Sequence, residues 1–371
     1  MRRINPRFST LSSKKKSFKI DLPILITVIL LTIVGLILVY DASVVQAYKD
    51  FGDKYFYIKQ QLIWAVLGFG SLVFFTFFDY NFFKKISHLI FFASFILLIA
   101  VLVPGLGVAA GGAHRWLRLG FITIQPAEII KISTIIFLSA LFEKKVKTLP
   151  FVLILGSITF ILGILQKDLG SSIVFFLTTL SIYIVAGAKL RYLFTFSPIA
   201  ILGFIIFILK STYRKQRILA FLDPFTDPQG FSYHISQILI ALGSGSWFGL
   251  GLGQSRQKFE YIPEVTTDSI FAIVGEEFGF IGALILILGM SFLIYRGFKI
   301  AENAEDNFGK YLSFGLTFWL GIQTLVNLGA MVSLIPLTGV PLPFISYGGS
   351  ALLANLIAVG ILLNISKRPS S

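Results

Sequence analysis

The stretch YIPEVTTDSIFAIVGEEFGF, residues 261 to 280, puts Asp268 between a proline-led polar loop and an apolar run, with Glu276 and Glu277 inside the run itself. A carboxylate at the edge of an apolar phase can act as a general base, because desolvation raises its pKa toward working pH. The position also suits a plainer task, since an aspartate at a helix start caps free backbone N–H groups and contributes about 1 kcal/mol. Spacing alone leaves both readings open. Arg256 and Lys258 close a glycine-rich stretch, GSGSWFGLGLGQSRQKF (243 to 259), which lacks the G-K-[ST] ending of a nucleotide phosphate loop. In GGAHRWLRLGFITIQPAEIIK (111 to 131), Glu128 and Lys131 are three residues apart and share a helix face, as a self-neutralising pair or as part of a site. LQKDLGSS (165 to 172) is a tight polar turn whose Asp168 either bonds local backbone or faces an aqueous cavity. PLTGVPLPFISYGGSALLANL (336 to 356) has too many prolines and glycines for regular helix, and irregular backbone at membrane depth must be buried in protein or line a cavity. Gln323 and Asn327, four apart, point to a polar cavity or to hydrogen bonds between helices. His88, His114 and His234 are isolated, so no histidine metal site is expected, and no Gly-x-Ser-x-Gly or Ser-x-x-Lys nucleophile motif occurs.

Composition says which medium must hold these groups. The 371-residue chain is 56% hydrophobic and 15% aromatic with 13% charged residues, more apolar surface than a water-soluble domain can cover. LPILITVILLTIVGLILVY (22 to 40) and LSFGLTFWLGIQTLVNLGAMVSLI (312 to 335) reach the ~20 residues that span a ~30 Å hydrocarbon core. Basic residues before the first span imitate a signal peptide, but the apolar stretch is too long and more spans follow, so it reads as a retained anchor. The absence of cysteine excludes disulfides and thiolate metal sites.

Hydropathy and breakers predict an all-α polytopic membrane protein with ten transmembrane helices, at about 22 to 42, 60 to 78, 87 to 104, 126 to 142, 150 to 165, 170 to 187, 192 to 209, 269 to 294, 311 to 334 and 346 to 365. A basic cytoplasmic tail (1–21) precedes the membrane domain (22–366), and a short cytoplasmic tail (367–371) follows it. Nineteen Lys and Arg fall on the side of the termini, against six in the short loops opposite, which places both termini in the cytoplasm. A large extracytoplasmic loop, 210–268, joins the seventh and eighth helices. Within it FSYHISQILIALG (231 to 243) aligns Phe231, Ile235, Ile238, Leu239 and Leu242 on one helical face, to lie on the outer leaflet or to pack against the spans. The basic tail either touches anionic membrane lipids or sets topology alone. The net charge of +14 is largely accounted for by this topology, so nucleic acid is not expected as a partner.

Five blocks in order, RWLRLGFITIQPAEIIK, QKDLG, RILAFLDPFTDPQGFSYHISQILIALGSG, GLGLGQSRQKFEYIPEVTTDSIFAIVGEEFGFIGA and PLTGVPLPFISYGGSALLANLIAVGILLNISKR, resemble the SEDS (shape, elongation, division and sporulation) family over about residues 22 to 366. GLGQSRQKF and the ending LLNISKR are most similar to its division branch. The resemblance implies a ten-span fold and a peptidoglycan glycosyltransferase that polymerises lipid II at the outer face of the bacterial cytoplasmic membrane, releasing undecaprenyl diphosphate, at the division septum. It implies Asp268 as the essential catalytic residue and Arg115, Lys131, Arg256, Lys258, Gln237, Glu128 and Ser346 as substrate-binding residues. Trp116, Gln125, Pro126, Asp168, Glu264, Glu276, Tyr347 and Gly348 also match family motifs. The partners it implies are a class B penicillin-binding protein, as transpeptidase, and other divisome membrane proteins. A divalent cation, Mg or Mn, would share the charge of the diphosphate, and no organic cofactor is expected. Two departures stand out: TTDS (266 to 269) where the family usually has HTD and an aromatic, and Lys167 where it has proline before Asp168. A lipid II flippase, an elongation polymerase and a scaffold for division partners are the rival readings.

Overall fold

A computed structural model describes residues 20–110, 113–120, 122–189, 191, 212–227, 229–259 and 261–367. Its helices are Leu22–Phe51 (α1), Phe56–Phe77 (α2), Asn81–Ala100 (α3), Pro126–Lys144 (α4), Thr148–Phe160 (α5, continued by a π-helical turn Ile161–Leu165), Leu169–Val185 (α6), Thr212–Leu222 (α7), Tyr233–Ser244 (α8), Ile270–Glu302 (α9), Asn307–Met331 (α10) and Gly349–Ser366 (α11). Local chemistry sets several ends. The Asp21 side chain accepts the Ile24 N–H and Pro23 occupies the first turn of α1, where its missing donor costs nothing. At its far end Gly52 takes φ 69 and donates its N–H to Tyr48 O, a left-handed cap open to glycine.

Among the described residues, seven helices are long and apolar enough to cross a membrane: α1, α2, α3, α5 with its π turn, α9, α10 and α11. Exposed Leu, Ile, Val and Phe side chains along α1, α2, α3, α5 and α9 form a belt that only lipid could cover. By contrast α4 and α11 are buried on nearly every side and make the centre of the bundle. Of the two other predicted spans described, α6 is apolar but shorter, and α4 carries Glu128, Lys131, Glu143 and Lys144, so length sets the first apart and charge the second. The span predicted at 192 to 209 lies outside the described residues.

The chain is not purely α-helical. The segment read as an outer loop forms a three-stranded antiparallel sheet in the order β1-β2-β3, Gly107–Ala110, Ala113–Leu119 and Ile122–Ile124. Gly120, at φ 64, makes the turn that lets β-branched Ile122 and Thr123 pair back onto β2. The segment 210–268 is likewise more ordered than a loop, since it contains α7 and α8. The apolar face of α8 buries Ile235, Ile238 and Ala241 and packs against α9 and α10, which decides for packing on the spans.

The glycine-rich stretch before Asp268 has a structural use. α9 is broken at Gly279, whose φ of 64 and ψ of −165 interrupt the ladder of helical hydrogen bonds. Backbone from the glycine-rich stretch fills the gap: Phe280 and Ile281 N–H donate to Ser246 O and Trp247 O, while Leu250 and Gly251 N–H donate to Glu276 O and Glu277 O. Such an approach needs bare backbone. A Cβ on Gly249, already at φ 79, would sit 2.1 Å from Glu277 O. Gly249→Val is therefore expected to cost at least about 3 kcal/mol, from strain and overlap together; a melting temperature in detergent equal to wild type would refute the docking.

Candidate active site

Asp268 does not cap α9. Ser269 holds the N-cap position without a capping bond, and its hydroxyl lies 2.8 Å from His234 Nε2 of α8. The turn that carries Asp268 closes on Glu264, which adopts φ 51 and whose carbonyl accepts the Thr267 and Ser269 N–H groups. The segment between α10 and α11 fixes it from the other side: Tyr347 N–H donates to Thr266 O at 2.8 Å. Asn327 Nδ2 of α10 donates at 2.8 Å to both Asp268 O and Val340 O. These bonds all use backbone. The Asp268 carboxylate itself accepts from Thr267 Oγ1 at 3.3 Å and is left 7% exposed.

That seat makes Asp268 a weakened acid. Burial raises its pKa to about 6, the neighbouring Glu264 carboxylate adds to the rise, and the Arg217 guanidinium of α7 draws part of it back. Arg217 donates to Leu337 O at 2.8 Å and, with His234, lines a cavity of about 210 Å³ between α7, α8 and residues 333 to 337. Burial, and then the charge of Arg217, lower the His234 pKa to about 4, so the imidazole is neutral near pH 7. Neither Arg217 nor His234 stood out in the sequence. Arg217 is one of several basic residues in RKQRILAF (214 to 221), with no spacing that ties it to Asp268.

The two glutamates inside α9 are clamps. Glu276 accepts the Ser255 hydroxyl and the Arg256 and Gln257 N–H groups. Glu277 accepts Ser255 N–H and Lys258 Nζ, each at 3.0 Å. Lys258 Nζ also reaches Asp41 near the end of α1, at 2.8 Å. Burial works to lower the Lys258 pKa, and Asp41 and Glu277 outweigh it, leaving it above the ordinary value. Lys258 is thus neutralised in place, whereas Arg256 beside it is exposed. Asp41, the third member of this network, went unnoticed because nothing in VYDAS (39 to 43) links it to a residue so far along the chain.

Of the remaining expected site residues, Lys131 and Glu128 reach the 336–350 segment through Gln323, Asp168 reaches it through Gln125, and Ser346 lies within it. Lys131 Nζ bonds Glu128 Oε1 at 2.7 Å and Gln323 Oε1 at 3.0 Å, and Gln323 Nε2 donates to Pro341 O. Lys131 and Glu128 are both buried, so the pair is neutralised inside the bundle, and Gln323 and Asn327 serve as hydrogen bonds between elements. Asp168 caps α6 through Ser171 N–H and accepts Gln125 Nε2 at 3.4 Å; Gln125 N–H in turn donates to Ser350 Oγ. Arg115 donates to Lys167 O at 2.6 Å, beside that turn. Ser346 Oγ accepts Leu342 N–H, and its carbonyl accepts Gln61 Nε2 of α2. Gln237 is half-buried on α8. Among the described residues no group of three or more His, Cys, Asp or Glu could hold a metal ion.

The sequence and the fold have counterparts among known proteins. The FtsW/RodA/SpoVE family model, described as cell cycle protein, matches residues 21–371. Stage V sporulation protein E of Bacillus subtilis (strain 168) is 41% identical over 360 residues, covering 95% of this chain and 98% of its own. A probable peptidoglycan glycosyltransferase FtsW of Geobacter sp. (strain M18) is 38% identical over 356 residues, covering 94% and 97%. Among solved structures, a chain from a peptidoglycan synthase complex that coordinates polymerization and crosslinking superposes with a TM-score of 0.76 at 25% identity, covering 94% of this chain and 97% of that one. The rod shape determining protein RodA of Thermus thermophilus superposes with a TM-score of 0.67 at 24% identity, covering 94% and 96%.

Proposed function

Since the chain belongs to the FtsW/RodA/SpoVE family of cell cycle proteins, the SEDS family, we propose that it is a peptidoglycan glycosyltransferase that polymerises lipid II, with Asp268 as the base. The observation that carries the reading is the seat of Asp268: a buried carboxylate, pKa about 6, under the charge of Arg217, whose guanidinium lines a cavity. In the reaction a sugar hydroxyl attacks the anomeric carbon of a lipid-linked sugar. The O–H proton passes to the Asp268 carboxylate, the new C–O bond forms, and the bond to the diphosphate breaks with inversion, releasing undecaprenyl diphosphate. A base with a pKa near 6 is mostly ionised at pH 7 yet basic enough to take the proton. No covalent intermediate is needed.

The departing diphosphate requires positive charge. Arg256 is exposed and Arg115 is half-exposed at the same end of the bundle as Asp268, and we assign them to that charge; Arg217 sits beside the base. Lys131 and Lys258, with Glu128, then act by holding the framework, and Ser346 borders the site next to Tyr347, whose N–H holds the Asp268 turn. Among the described residues the carboxylates make no protein cage for Mg or Mn; such a cation, which usually keeps water and substrate phosphates among its ligands, would supply further positive charge to the diphosphate.

The start of α1 and the end of α11 meet where Asp21 N–H donates to Ser366 Oγ, with Arg296 bonded to Asp21, and the abundance of Lys and Arg at this end of the bundle favours a cytoplasmic assignment. Asp268 would then open to the outer face of the bacterial cytoplasmic membrane. We extend the reading to ten spans, a class B penicillin-binding protein and other divisome proteins as partners, and work at the division septum; septal rather than sidewall localisation of the tagged chain tests the last point. The central test is glycan synthesis from lipid II by the purified chain with its transpeptidase partner. Failure to make polymer at any pH overturns the proposal. Its pH profile should rise through about pH 6, as Asp268 ionises. Arg217→Met removes a charge that lowers the Asp268 pKa, so the same limb should move to higher pH; an unmoved limb would separate Arg217 from the base.

A further inference from the structure

The opposite end of the bundle holds a second cavity, of about 590 Å³, between the first turns of α3 and the end of α4. Lys84, Lys85, Lys144, Lys145 and Lys147 line it. Lys84 is matched by Glu143 at 2.6 Å, while the other four lysines are exposed and, among the described residues, in no ion pair. The chain brings them together by leaving the helix at Lys145, whose φ of −165 and ψ of 133 are extended, so that 145 to 147 turn beside α3. Lysines that merely set topology have no reason to converge on one concavity.

What would fill it is indicated by the apolar rim. Phe82 and Leu89 of α3 and Leu149 and Leu153 of α5 are exposed at the same end, on a surface that faces lipid. A basic hollow bordered by such a surface suits a molecule with an anionic head and acyl tails, and basic pockets between membrane helices on the cytoplasmic side take such headgroups. A free anion would use the lysines and leave the rim idle. We propose that this cavity binds the phosphodiester headgroup of an anionic phospholipid of the inner leaflet, its acyl chains lying along α3 and α5. The leaflet rests on the orientation proposed above; the binding itself does not depend on sidedness or on the glycosyltransferase reading.

The test is native mass spectrometry of the full chain in detergent, titrated in turn with cardiolipin, phosphatidylglycerol, phosphatidylcholine and inorganic phosphate. Retained adducts are expected with the two anionic lipids and not with the other two probes. Lys85→Gln/Lys144→Gln/Lys145→Gln should weaken anionic-lipid binding on the order of a hundredfold, from about fivefold per lysine near a membrane surface. Lys14→Gln/Lys15→Gln/Lys16→Gln removes the same charge from the N-terminal tail and should leave binding intact. Equal loss in both variants, equal retention of phosphatidylcholine, or displacement of the lipid by phosphate would each overturn the proposal. If the triple variant does not fold, Lys144→Glu alone, which keeps the helix end, should still show the loss.

Discussion

Asp268→Asn is expected to lower glycan polymerisation from lipid II by at least about a hundredfold, the lower bound for loss of a positioned general base. The substitution is nearly isosteric. The bonds that tie the turn to other segments, from Tyr347 to Thr266 O and from Asn327 to Asp268 O, use its backbone and survive the change. A loss of fold would therefore be a poor explanation for a loss of rate, and stability supplies the check. The folded state raises the Asp268 pKa from 3.8 to about 6, so the neutral carboxyl is the form that folding favours. Its contribution to stability is present in full below about pH 3.8 and is lost as pH rises through about 6. At pH 7 the buried carboxylate costs on the order of 3 kcal/mol. Asparagine cannot ionise, so the variant should melt at or above the wild-type temperature at neutral pH, with the gap closing below pH 4. Thermal unfolding in detergent and single-turnover synthesis, measured on the same preparations, read the two effects separately. Unimpaired synthesis would remove the base assignment, and lost synthesis with a lowered melting temperature would make Asp268 structural.

The position of Asp268 was legible because it combines two local signals, a polar proline-led loop and the start of a long apolar run. What its carboxylate does was not legible. Capping and catalysis place the same residue type at the same spacing, and the choice between them turns on Ser269, whose hydroxyl faces His234 rather than the first turn of α9. The departure from the family pattern at residues 266 to 269 marked a change in that loop, but only the fold brings α8 against it. The same distinction runs through the bundle. Most spans follow from apolar length, and the helix at 231 to 243 from its periodicity, since both are properties of neighbouring residues. The sheet at 107 to 124 was missed because its strands, of four, seven and three residues around glycines, are too short to show a period. The glycine-rich stretch was visible in composition but its use was not: it accommodates the backbone of α9 at Gly279. Arg217, Asp41 and His234 contribute through contacts between distant segments, which leave no period in a single sequence.

Lys131→Met should be the most destabilising substitution among the expected site residues. Lys131 and Glu128 are 2% and 1% exposed, with Nζ 2.7 Å from the carboxylate. Nζ also lies 5.1 Å from the Trp319 ring centre and bonds Gln323 Oε1, which takes Trp319 Nε1–H as well. Losing the ring contact would cost up to about 2 kcal/mol. Leaving Glu128 charged and unpaired in the bundle costs about 3–5 kcal/mol, so the orphaned carboxylate decides the outcome. Glu128→Gln/Lys131→Met removes both charges at once and should recover most of the lost stability, a coupling that a double-mutant cycle reads directly. Activity then separates two roles for the lysine. If Lys131 works only by neutralising Glu128 inside the bundle, synthesis should return with stability in the double variant, because Trp319 Nε1–H still holds Gln323 Oε1. If its ammonium instead meets the substrate diphosphate, the double variant will melt normally and stay inactive. The buried geometry favours the first result, because a charge already matched by Glu128 at hydrogen-bond distance has little left to offer a second anion.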